Sequence, residues 1–234
     1  LNVTVLKLVN VLSYIFLLVA SFVLAGDIGG GTEDDVLFMP AGYAFSIWGL
    51  IYLLLFVFLV KQFFAEKQEE ALIRKIGYWF PLSMILSGTS VIVGMTNAIL
   101  FIAGSLVTLI ITYSIITNRE QDTTLFRIPF SFYLAWTSIA TIVDTFVVLV
   151  GNDVTSLFGI HQFVWAIIML LIGALLAVWF HIRNNDSIYP LVFVWGYVAI
   201  AVEQTQTALV FLSASLACLI ALLVIVRVFK RSNK

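Results

Sequence analysis

Residues 39–61, MPAGYAFSIWGLIYLLLFVFLVK, narrow the choice of fold more than any other part of the chain. From position 43 to position 60 no residue is charged. A helix of that length crosses a hydrocarbon core, and no soluble domain of ordinary composition needs such a run. Seven further apolar segments accompany it, at about 6–24, 78–95, 98–116, 128–150, 160–180, 188–202 and 207–226. In lipid every backbone polar group must be satisfied within the segment, so runs of this kind are helices. The expected fold is an all-α polytopic transmembrane bundle of about eight helices.

Composition agrees and excludes several functions. Hydrophobic residues make up 62% and charged residues 11%, against about one-half and one-quarter in soluble domains; mean hydropathy is +1.10. A net charge of −1 without a basic tract gives no footing for nucleic acid. The single Cys218 offers no disulfide framework and no thiol–metal spacing, and His161 and His181 lack clustered carboxylates, so no metal is expected. No Walker sequence, HExxH or nucleophile elbow is present, and no lysine lies mid-helix to carry a retinal Schiff base, so no catalytic residue is assigned. The first segment has Lys7 before it and a cleavage-like Val23-Leu24-Ala25 after it, but exceeds a signal core in length and is read as a retained helix.

The basic residues order the segments. With the amino terminus inside, all twelve lysines and arginines fall in inner segments, from Lys7 through Lys61, Arg74, Arg127 and Arg183 to Arg227 and Lys234. The outer loops carry Asp27, Glu33, Asp34, Asp35, Asp153 and Glu203 instead. Short-loop lysine and arginine set orientation, which predicts a multi-pass protein with both termini cytoplasmic. The loop 61–77 reads as an amphipathic surface helix, with Phe64, Leu72 and Ile76 toward lipid or protein. Residues 26–42 combine a glycine run with an acidic cluster and read equally as a solvated connector or a lid.

Two stripes stand out within the segments. Phe45, Trp48 and Tyr52 recur at i, i+3 and i+7, and Tyr133, Trp136, Ala140 and Asp144 at i, i+3, i+7 and i+11, each set sharing a helix face. At 1.5 Å per residue, Trp48 and Asp144 both lie about 8–9 Å below the outer boundary. The stripes are equally compatible with helix–helix packing and with an aromatic, mildly acidic cavity. Near the carboxyl end, Tyr189-Pro190 with Trp195-Gly196-Tyr197 faintly echoes the second segment and is taken as coincidence.

Pro40, Trp48-Gly49 and Tyr52, followed by Tyr133-Leu134-Ala135-Trp136, Ala140-Thr141 and Asp144, resemble the second- and fifth-helix patterns of the translocator protein family, also called tryptophan-rich sensory proteins or TspO/MBR. Met39-Pro40 stands where the family has paired prolines, Asn97-Ala98 where it has Asn-Trp, and Asp144 where it has asparagine. The resemblance implies a five-helix core over 1–150, with 151–234 adding three helices. It implies a ligand site of Pro40, Phe45, Trp48, Tyr52, Asn97, Tyr133, Trp136, Ala140 and Asp144, covered by the lid loop. The ligand class it implies is a hydrophobic ring molecule, a porphyrin, haem or other tetrapyrrole, bound for sensing or transport, with no cofactor required. The expected setting is the lipid bilayer of the plasma (inner) membrane, with a homodimer left open. The alternative is a proton-coupled secondary transporter of a small solute using Asp144 and Glu203. A membrane enzyme would need an acid–base or metal set that the chain lacks.

Overall fold

The structure, a computed structural model, describes residues 2–25, 36–117 and 124–232. Among them eight apolar helices form, as the apolar runs require. They are α1 (Val3–Val19), α2 (Ile47–Lys61), α4 (Trp79–Ile92), α5 (Met95–Thr117), α6 (Thr124–Gly151), α7 (Gln162–Asn184), α8 (Ile188–Glu203) and α9 (Thr207–Ser232). An amphipathic α3 (Lys67–Ile76) lies between α2 and α4. Six of the apolar helices, with α1 and α2 continued by π and 3-10 turns to Val3–Leu24 and Gly42–Phe64, are long and apolar enough to cross a membrane; α4 and α8 are shorter. The protein is a multi-pass, all-α membrane bundle. Large apolar side chains point outward, Leu12, Leu53, Leu175 and Phe211 among them, because lipid solvates them as well as a core would.

Helix ends depart from the apolar runs where the backbone has special needs. α1 continues as a π turn at Ala20–Leu24, and α2 is entered through a 3-10 turn at Gly42–Ser46. The expected break at Thr96–Asn97 falls earlier, at Val93–Gly94, since Gly94 takes φ +75°, a left-handed conformation glycine adopts without strain. Asn97 therefore sits, exposed, in the first turn of α5. Between α6 and α7 the chain makes a two-residue antiparallel pair, β1 (Ser156–Leu157) with β2 (Ile160–His161). His161 caps α7 by accepting the Phe163 N–H at 3.2 Å.

The chain divides into two compact units. The first comprises Leu1–Gly30 and Ile47–Thr141. There Gly88 of α4 lets α1 come close: a Cβ at that position would stand 2.8 Å from Phe16 Cε1. The basic end of this unit is tied by polar contacts. Asn10 donates to Gln62 Oε1 at 3.0 Å, Gln62 donates to the Lys7 carbonyl at 3.2 Å, and Lys7 Nζ meets Glu70 Oε1 at 2.9 Å. The start of α1 and the end of α2 thus share one end, as alternating spans demand. The Lys7 ammonium, by hydrogen bond and charge, holds the Glu70 carboxyl below the usual carboxylate range. α3 behaves as the amphipathic reading requires, with Leu72 and Ile76 buried and a capping box between Glu66 and Glu69; Phe64 just before it is exposed.

The second unit comprises Gly31–Ser46 and Ile142–Lys234. Its α7 and α8 meet at Gly173, where the Tyr197 hydroxyl reaches across to donate to the Leu170 carbonyl at 2.6 Å. Asp186 accepts the Ile188 N–H at 2.7 Å and so caps α8, and His181 Nδ1 lies 2.8 Å from the Asp186 carbonyl oxygen. Arg227 donates to the Ile182 carbonyl at 3.1 Å, so the carboxyl ends of α7 and α9 lie side by side.

Candidate ligand-binding site

Three of the expected site residues meet in the first unit. Trp48, in the first turn of α2, is half-buried and stacks on Tyr52 with centroids 5.6 Å apart and planes 26° apart. Tyr133 of α6 meets Trp48 edge-on at 6.0 Å and 72°. Offset and edge-on pairs of this kind fix ring orientation, because the positive ring edge seeks the negative face. The indole is thereby held at a set angle with part of its surface open.

Hydroxyl groups hold both tyrosines from behind. Tyr133, fully buried, donates to Ser87 Oγ at 2.7 Å and lies 3.2 Å from the Ser83 carbonyl oxygen. The Ser87 and Ser105 hydroxyls are 2.8 Å apart, and Ser105 also donates to the Ser83 carbonyl at 3.0 Å. The Tyr52 hydroxyl lies 2.7 Å from Ser21 Oγ, while Tyr14 donates to the Tyr52 backbone carbonyl at 2.9 Å. Phe22 closes on Tyr52 edge-on at 5.8 Å. A buried polar group costs little only when hydrogen-bonded, and this network pairs the phenols within the protein. A ligand would therefore meet their ring faces first.

The surroundings of the other expected residues differ. Trp136 is 1% exposed, walled in by protein on every side. Ala140 is half-buried on the same helix. Asn97 is exposed at the head of α5, its N–H bonded to the Gly94 carbonyl at 3.3 Å. Pro40, buried, Phe45, half-buried, and Asp144 belong to the second unit. Asp144 is half-buried and its carboxylate has no hydrogen-bond partner among the described residues.

The described part of the expected lid is fastened down. Gln204 donates to the Val36 carbonyl at 3.1 Å and the Met39 carbonyl at 3.0 Å. Ala41 N–H bonds the Ala199 carbonyl at 3.1 Å, and Trp195 Nε1 donates to the Ala44 carbonyl at 3.1 Å. Tyr43 adds an edge-on contact with Trp195 at 5.3 Å, and Phe38 stacks on Phe146 at 5.7 Å. The glycine and acidic part, residues 26–35, lies outside the described residues. Trp195, noted in the sequence without a role, and Gln204 are the clasp; the serines behind the tyrosines were missed. Ser83 and Ser87 stand at i and i+4 in an apolar run, which was the available signal.

The fold and the oriented indole on its tyrosine and serine frame define a multi-pass helical membrane protein with a clustered aromatic face. The TSPO-like protein family matches residues 4–228, and the chain belongs to that family. The match runs from α1 through most of α9 and so takes in the last three helices as well. No curated protein and no solved structure matches the chain.

Proposed function

We propose that this protein binds a hydrophobic ring ligand of the porphyrin class in the membrane, for sensing or transport, with Trp48 as its stacking surface. The observation that carries the reading is the half-buried Trp48 indole, held by Tyr52 and Tyr133 on a fully bonded hydroxyl frame. A rigid aromatic face needs no ordering on binding, so more of the stacking free energy is retained. Membership in the TSPO-like family supports the same ligand class.

Trp48→Leu keeps an apolar side chain and removes the face. Stacking contributes about 0.5–1.5 kcal/mol beyond area burial, so protoporphyrin affinity is expected to weaken about 2–13-fold. Soret-band titration of purified protein measures it, with an unchanged melting midpoint as the folding control. Equal affinity in the variant and the parent would remove Trp48 from the site.

A second reading, proton-coupled transport of a small solute, rests on Asp144, a half-buried carboxylate without a hydrogen-bond partner among the described residues of a membrane span. Ionisable groups in spans commonly mark pathways. Asp144→Asn keeps shape and an acceptor. Under the ring-ligand reading the variant retains porphyrin affinity within twofold, about 0.4 kcal/mol. Under the transport reading, proteoliposomes carrying it lose pH-driven uptake while unmodified protein shows it.

A further inference from the structure

The basic end of the first unit holds a concavity built from other residues than the aromatic cluster. Leu54, Val57, Phe58 and Lys61 of α2 face Phe126, Ile128 and Pro129 of α6 across a groove of about 80 Å³. Pockets for drug-sized ligands start at roughly 300 Å³, so no fused ring system fits here, whereas a linear hydrocarbon segment does. The floor is rigid. Phe58 meets Phe80 at 5.3 Å, Phe126 at 5.5 Å and Phe130 at 5.1 Å, each edge-on. Pro129 adds a ring and no N–H donor to the wall.

Apart from Lys61, every lining side chain is apolar. Lys61 ends α2, is exposed, and has neither ion pair nor hydrogen bond among the described residues. The eight residues from Leu54 to Lys61 span about 10 Å along the helix. The groove is thus apolar along its length and cationic at its rim, within two spans of the membrane.

We infer that this groove seats an acyl chain of an anionic glycerophospholipid whose phosphate is held by Lys61. Both spans are surrounded by acyl chains, so lipid is the occupant present at the highest concentration. The Lys61 ammonium, without an ion pair among the described residues, selects among lipids: a phosphatidylglycerol headgroup brings net negative charge, whereas a choline headgroup brings its own cation beside Lys61. Basic residues at membrane boundaries draw anionic lipid in this manner.

Native mass spectrometry of the full chain tests it, with micelles holding equimolar dioleoylphosphatidylglycerol and dioleoylphosphatidylcholine. The phosphatidylglycerol adduct is expected to exceed the phosphatidylcholine adduct by about fivefold, the ratio one interfacial cation contributes. Lys61→Gln brings the two to parity and Lys61→Arg keeps the preference. Val57→Trp, at a position 44% exposed and so tolerant of bulk, fills the groove and lowers retention of both lipids. Equal retention by the unmodified protein, a preference that survives Lys61→Gln, or retention untouched by Val57→Trp would each overturn the inference. Porphyrin titration of the same variants is expected to stay unchanged, which separates this site from Trp48.

Discussion

Trp136→Ala is expected to be among the most damaging changes in the first unit, lowering its stability by about 3 kcal/mol. The side chain is 1% exposed, and truncating a buried tryptophan costs about 3–5 kcal/mol in soluble cores. In a bilayer the unfolded reference already surrounds the ring with lipid, so the loss is one of packing contacts and of the cavity left behind. That argues for the lower end of the range. Unfolding in mixed micelles of mild and denaturing detergent measures it, with Trp48→Leu as the comparison. If Trp136→Ala unfolds within about 0.5 kcal/mol of the parent, the side chain is not the packing element its burial implies.

Gly173→Ala is expected to damage the second unit for the opposite reason, an added atom. A Cβ there would collide with the Tyr197 hydroxyl and stand 3.2 Å from Phe193 Cε1. Overpacking costs about 1–3 kcal/mol, and a tyrosine pushed off the Leu170 carbonyl leaves a buried hydroxyl unbonded, about 1–3 kcal/mol more. Tyr197→Phe removes both the colliding oxygen and the group left unbonded. The double variant is therefore expected to be more stable than the sum of the single effects predicts, a positive coupling of at least about 1 kcal/mol. Strict additivity in that cycle would show that the helices separate around residue 173 without involving Tyr197.

The spans were legible because apolar length is written in the sequence itself, and the six long helices and α8 fall on the runs that predicted them. The break after α4 was not, because Gly94 acts through backbone conformation, whereas Thr96 and Asn97 only look polar. Spacing also brought out Trp48, Tyr52 and Tyr133, which do meet. It could not separate Trp48 from Trp136, since a helix face shows which residues point together and not which neighbour covers them. Burial of Trp136 depends on what packs against α6. The serine frame and the Gln204 clasp were harder still. Ser105 reaches Ser87 from another helix, and Gln204 reaches Val36 from 168 residues away. No periodicity encodes such pairs.

That distance along the chain also sets an order in time. The segment leading into α2 is held by Trp195 and Gln204, which follow it by 151 to 168 residues. During synthesis at about 5–20 residues per second, its final anchors emerge roughly 10–30 s after the segment itself. For that interval the carbonyls of Val36, Met39 and Ala44 must rely on water, headgroups or the insertion machinery for their hydrogen bonds. The approach to α2 is thus made well before the residues that finish it, and a nascent chain stalled before α8 would still have that edge open.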